Sequence, residues 1–234
     1  MLVETMTPEE ITREIFTDWE VVAEKSLYRL AQEYDRTRRR LKVKKEDMFV
    51  KTYEIKTKKK NNWLFTLRKG VDVEKYRTWE DIDLNKSVYY YSKRGIRVFE
   101  ITGDDDKLAV YNAHLFSRYR ERMKLDIPNP YDVVKHFFIN DGYAIDKFDD
   151  ENDFDEVFSP RKNGIVFGTY LKEMCWTVYN TFITNEMKFE KQSDIERQLI
   201  EAWEEESNIE FLLNGNSSYF KAIRGAIIEL QKEK

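Results

Sequence analysis

His114, Arg118 and Arg122 recur at four-residue intervals in the stretch HLFSRYRERM, residues 114–123. These residue types suit an anion. Arginine offers a planar fork matched to phosphate oxygens, and an imidazole exchanges a proton near neutral pH. Metal-free phosphodiester cleavage needs this combination: a histidine as general acid or base, and arginines to hold the charge that develops on phosphorus. On a helix turning about 100° per residue, Arg118 and Arg122 lie about 40° and about 80° from His114. Leu115, Phe116, Tyr119 and Met123 form the apolar face beside that row. The row therefore borders the core and can look into a groove between helix and sheet. The structural alternative is that the arginine stems line the core edge while their heads stay in water.

A facing strand would complete such a site. In CWTVYNTFI, residues 175–183, strict alternation puts Trp176, Val178 and Phe182 on one side. Thr177, Tyr179, Thr181 and Ile183 fall on the other. Thr177 and Tyr179 would then complete a polar site opposite the row, the structural alternative being a plain outward face.

A second candidate surface is basic. Residues 36–60 hold twelve Lys/Arg against three Asp/Glu, with Phe49, Tyr53, Trp63 and Phe65 within or just after the run. Phosphate contacts combined with stacking faces are a signature of nucleic-acid binding, which selects Lys58, Lys59, Lys60 and Trp63; the structural alternative is a solvated charged face with KKKNN as an ordinary hairpin tip. Tyr89, Tyr90 and Tyr91 are expected to pack in the core from alternate faces of a strand.

Other chemistry is poorly supplied. Asp149, Glu151, Asp153 and Asp155 alternate as calcium ligands do, but Phe154 stands where the sharp turn needs glycine. His114 and His136 are far apart and no paired cysteines exist, so neither a metal nor a cofactor is expected. His136, beside Val133, Val134, Phe137 and Phe138, is expected to be packed and hydrogen-bonded. Cys175 is the single cysteine, which excludes an internal disulfide and fits a reducing compartment. It is expected to be buried. No GxGxxG, GxxxxGK[ST] or GxSxG occurs.

The elements that must position these residues follow from patterning. Thr7-Pro8-Glu9-Glu10 starts a long helix expected to reach about Arg39. Hairpins follow in residues 47–70, 86–103 and 164–183, and the third ends in CWTVYNTFI. LAVYNA is a short strand leading into the His114 helix. Asn129-Pro130 caps a second helix, YDVVKHFFIN, closed near Gly142. Two further helices are expected near 193–205 and 218–231. The expected class is α+β: a mostly antiparallel sheet built of hairpins and packed by a long amino-terminal helix and carboxy-terminal helices. The expected organisation is one domain over 1–234, with sub-regions 1–106, 107–184 and 185–234.

The segment 110–184 resembles the small RelE-type ribonuclease domains of the barnase–EndoU–colicin–RelE group. The resemblance rests on His114, Arg118 and Arg122, on Asp132-Val133-Val134 in the next helix, on Asn140-Asp141-Gly142 at its end, and on a closing hairpin. Thr177-Val178-Tyr179 matches the Thr-x-Tyr element of the family's last strand. The resemblance implies an RNA-interacting protein, and a metal-independent ribonuclease if the chemistry is retained. His114 would then act as acid or base and Arg118 and Arg122 would hold phosphate. Attack would come from the neighbouring 2′-hydroxyl. The alternative is a non-catalytic interaction or nucleic-acid-binding protein of a mobile-element or toxin–antitoxin-like system.

Composition is compatible with either. The charged fraction is 36% and the aromatic fraction 15%, which argues for packed elements with a heavily solvated surface. Net charge is −4, so any pull on nucleic acid must come from a local basic field. No apolar run is long enough to span a bilayer. The expected location is the cytoplasm, with RNA or a protein as partner and no membrane.

Overall fold

The computed structural model describes residues 1–23, 48–70, 83–102, 107–142, 147–148 and 156–187. Helix α1 covers residues 8–23. Among the described residues, nine strands follow in one sheet: β1 (Met48–Lys56), β2 (Asn62–Gly70), β3 (Asp83–Ser92), β4 (Gly95–Thr102), β5 (Lys107–Tyr111), β6 (Lys147–Phe148), β7 (Glu156–Arg161), β8 (Gly164–Leu171) and β9 (Trp176–Thr184). Helices α2 (Ala113–Arg122) and α3 (Pro130–Asn140) lie between β5 and β6. The spatial order is β1-β2-β3-β4-β5-β9-β8-β7-β6. Every neighbouring pair is antiparallel except β5–β9. The chain is α+β, as its patterning predicts. The expected extension of α1 to Arg39, and the helices at 193–205 and 218–231, lie outside the described residues. So do residues 149–155 of the acidic run.

Both faces of the sheet are covered, and strand alternation divides the core accordingly. Trp63, Phe65, Val88, Tyr90, Phe99, Val110 and Trp176 point to the side where α1 brings Ile11, Ile15 and Val22. Leu64, Tyr89, Val98, Ala109, Tyr111 and Tyr179 point to the other side, against α2 and α3. Sidedness changes along β9. Phe167 pairs with Thr181 but Gly168 pairs with Tyr179, so Asn180 is an extra residue at a bulge. Strict alternation puts Phe182 with Trp176. The bulge instead turns Phe182 to the side of Tyr179, beneath α2.

Two glycines permit close contact between β8 and β9. A Cβ at Gly164 would lie 1.9 Å from the Ile183 carbonyl oxygen, and one at Gly168 would lie 2.5 Å from that of Val178. β7 is a strand that the sequence pattern does not announce; its residues 156–161 pair along β8 and extend the sheet past the expected hairpin.

Candidate nucleic-acid interface

Helix α2 starts directly from β5. Asn112 is its N-cap but makes no side-chain cap bond. Its backbone N–H donates to the Tyr179 carbonyl and its amide donates to Asn180 Oδ1 at 2.7 Å. The start of α2 is thus pinned to β9 at the bulge. Leu115, Phe116 and Tyr119 bury the apolar face. Arg120 and Arg122 fall in the last turn, where cations complement the helix dipole.

The row His114, Arg118 and Arg122 is present but divided. His114 is exposed, and Arg118 Nε lies 3.4 Å from His114 Nε2. Arg118 also pairs with Glu121 at 2.9 Å on the helix surface. Arg122 turns the other way. It donates to the Phe182 carbonyl and reaches Thr181 Oγ1 at 3.5 Å, so it fastens α2 to β9.

The residues expected to face the row do not join it. Tyr179 is 1% exposed among Tyr111, Phe137 and the rest of the α2–α3 core. The Arg161 guanidinium lies over its ring at 5.5 Å. Thr177 is 8% exposed and sits farther along β9 on the same side. The expected cleft holding His114, both arginines, Thr177 and Tyr179 is therefore not formed: packing under α2 takes Tyr179, and β9 takes Arg122.

The basic hairpin is also reassigned. Trp63 is 0% exposed and donates from Nε1 to Asp18 Oδ2 at 2.8 Å, so it offers no stacking face. Asn61 joins the same assembly, donating to Glu14 and Asp18 and accepting from the Leu2 N–H. Lys59 pairs with Glu14 at 3.2 Å. Lys58 and Lys60 remain exposed at the turn. The hairpin tip is largely an anchor for α1.

Two polar networks escaped sequence reading. Ser87, Glu100 and Thr177 stand in register across the sheet, with Ala109 between the last two. Glu100 accepts from the Asn85 amide and, at 2.6 Å, from the Tyr111 hydroxyl. The only sequence signal was an acid between Phe99 and Ile101 in an otherwise apolar strand. Asp141 closes α3. Its carboxylate accepts from the Tyr119 hydroxyl at 2.6 Å and from the backbone and side chain of Asn163. Burial, and then the Asp141 carboxylate, push the Tyr119 phenol well above its ordinary range. His136 Nδ1 lies 3.1 Å from the same hydroxyl, in keeping with its packed, hydrogen-bonded reading.

Cys175 is exposed, not buried, because it occupies a left-handed turn position with φ 52° between β8 and β9. Among the described residues, no three His, Cys, Asp or Glu side chains form a metal-binding group. None of their helices is long and apolar enough to cross a membrane.

The chain matches no family model, no curated protein and no solved structure. The outward side of α2 carries His114, Ser117, Arg118, Arg120 and Glu121. Beside it, the β3–β4 turn contributes exposed Lys93 and Arg94. Among the described residues Arg94 and Arg120 have no ion pair. One group of accessible cations thus lies along α2 and this turn, one helix face away from the buried Tyr179, and another, Lys58 and Lys60, lies at the β1–β2 turn.

Proposed function

We propose that this chain is a cytoplasmic RNA-interacting protein, related to RelE-type ribonucleases, that holds phosphate on the outward face of α2 and the β3–β4 turn. The observation that carries this reading is the exposure of Arg94, Arg120 and His114, with the half-buried Arg118 beside His114 and Glu121 as the one acid on α2. Guanidinium groups at that spacing suit successive phosphates of a flexible strand. RNA as the nucleic acid comes from the RelE-type resemblance. Binding is favoured over cleavage by the five residues of the expected catalytic set. Attack by a 2′-hydroxyl needs proton transfer on both sides of one phosphate, and Tyr179 is sealed in the core while Arg122 is held by the β9 backbone.

Fluorescence anisotropy of a labelled single-stranded RNA tests the reading, with intact RNA quantified in the same samples without added metal. Wild type is expected to bind with an affinity that falls as salt rises, and to leave the RNA uncut. An Arg118→Ala, Arg120→Ala double variant is expected to bind about tenfold more weakly. Equal binding by that variant would overturn the proposed surface. Cleavage by wild type that disappears in folded His114→Ala would restore the catalytic reading.

A further inference from the structure

A cavity of about 150 Å³ opens between the β3–β4 turn, α2 and the start of α3. Its walls are apolar: Ile96, Ala113, Phe116 and Val133, closed at one end by Pro130. Its rim carries Arg94, Arg120 and Ser117. The turn and α2 meet closely at the cavity. Gly95 has φ 121°, and a Cβ there would meet the Ala113 Cβ at 3.0 Å, so turn and helix approach closely only because both residues are small.

A second observation points to the kind of occupant. Tyr91 is 63% exposed, although its neighbours Tyr89 and Tyr90 are buried. It pairs across the hairpin with Ile96, a wall of the cavity, so the two side chains project from the same face of the sheet. Its ring meets that of Tyr89 edge-on at 6.1 Å, and Tyr89 stacks in turn on Tyr131 of α3. Tyr91 is therefore braced from one side and open on the other.

We infer that this cavity is a nucleotide subsite, a deepening that rests on the RNA-binding reading above. The base stacks on Tyr91 and enters the apolar walls, and its phosphate lies between Arg94 and Arg120. A flat ring with an attached anion is the chemistry that this combination recognises. An aromatic platform serves any base because every base has a π face. Among the described residues neither guanidinium is held in an ion pair, so they meet the phosphate without first breaking one; the carboxylate at this turn, Glu4, accepts from the Lys93 N–H. Ser117, one turn from His114, joins the subsite to the phosphate-holding face of α2.

The test uses the full chain and a fluorescein-labelled ten-nucleotide single-stranded RNA. Stacking of one base is worth about 1–3 kcal/mol, so Tyr91→Ala is expected to weaken binding by roughly 5- to 150-fold. Tyr91→Phe keeps the ring and is expected to stay within about twofold of wild type. Ser117→Trp keeps every charge but covers the opening, and is expected to match the loss in Tyr91→Ala. An Arg94→Gln, Arg120→Gln variant is expected to weaken binding and flatten its salt dependence. Circular dichroism melts check that each variant is folded. RNA binding by wild type that is weakened in Arg118→Ala but unchanged in the Tyr91 and Ser117 variants would overturn the subsite and leave the RNA-binding reading standing. Absence of RNA binding by wild type would overturn both. A labelled acidic, aromatic peptide that binds in place of RNA, and is lost in the same variants, would assign the cavity to a protein partner and overturn the nucleotide assignment.

Discussion

At the residue scale, the charges of this chain divide into those that hold the fold and those that face outward. Glu14 belongs to the first kind. Its partial burial alone would raise its pKa, but bonds from the amino terminus, Asn61 and Lys59 outweigh burial and hold it at about 2, from an ordinary 4.5. A carboxylate depressed in the folded state stabilises fully above its unfolded pKa, and that stability is lost as pH falls toward the folded value. The window here runs from about pH 4.5 down to about pH 2. Because its partners, the amino terminus and Lys59, are about half exposed and screened by solvent, the contribution is on the order of 1–2 kcal/mol. Thermal melts of wild type and Glu14→Gln should show it. Wild type is expected to be the more stable at neutral pH, with the gap narrowing below about pH 4.5. A gap that does not change with pH would mean that Glu14 acts through packing alone. Arg122 and Arg118 make the same division four residues apart: one fastens α2 to β9, the other stays at the surface.

Elements were the most legible part of the sequence. Asn129-Pro130 announces α3, and its cap is formed, with Asn129 accepting from the Tyr131 N–H at 3.0 Å. Asn129→Ala is expected to destabilise the protein by about 1 kcal/mol, measured by urea unfolding with an unchanged slope. The hairpin at Lys93-Arg94-Gly95 was legible for the same kind of reason, since its glycine holds φ 121°. What sequence could not supply was long-range. Alternation in β9 holds through Tyr179 and then fails, because the extra residue Asn180 is dictated by pairing with β8. Trp63 follows a lysine-rich turn and reads as a surface aromatic, but Asp18, 45 positions earlier, draws it into the core. The candidate site divides in the same way. His114 and Arg118 depend only on the helical period of α2 and were found. Tyr91, Arg94 and Arg120 depend on a turn folding against two helices, and no local pattern reports that.

At the scale of the whole molecule, the sheet of the described residues is two runs of antiparallel strands joined at one place. β1 to β5 follow one another in space as in sequence, and β6 to β9 do the same in reverse. Between the runs lies the parallel contact of β5 with β9, four register pairs from Leu108–Trp176 to Tyr111–Tyr179. Contacts close in sequence form early and at little entropic cost, whereas this one must wait for its crossover. Folding is therefore expected to assemble each run first and the seam last. Val178→Ala, at the seam opposite Val110, should destabilise mainly by accelerating unfolding, with a φ-value of about 0.2 in stopped-flow chevrons. A value near one would place the seam in the folding nucleus instead. The same order has a consequence on the ribosome. β5 is complete when Tyr111 has been added, but its partner begins at Trp176. While the intervening residues are made, the outer edge of β5 stands without its strand, a template on which another nascent chain can add itself. Chaperone demand during synthesis should peak in that interval and fall once β9 has emerged and closed the edge.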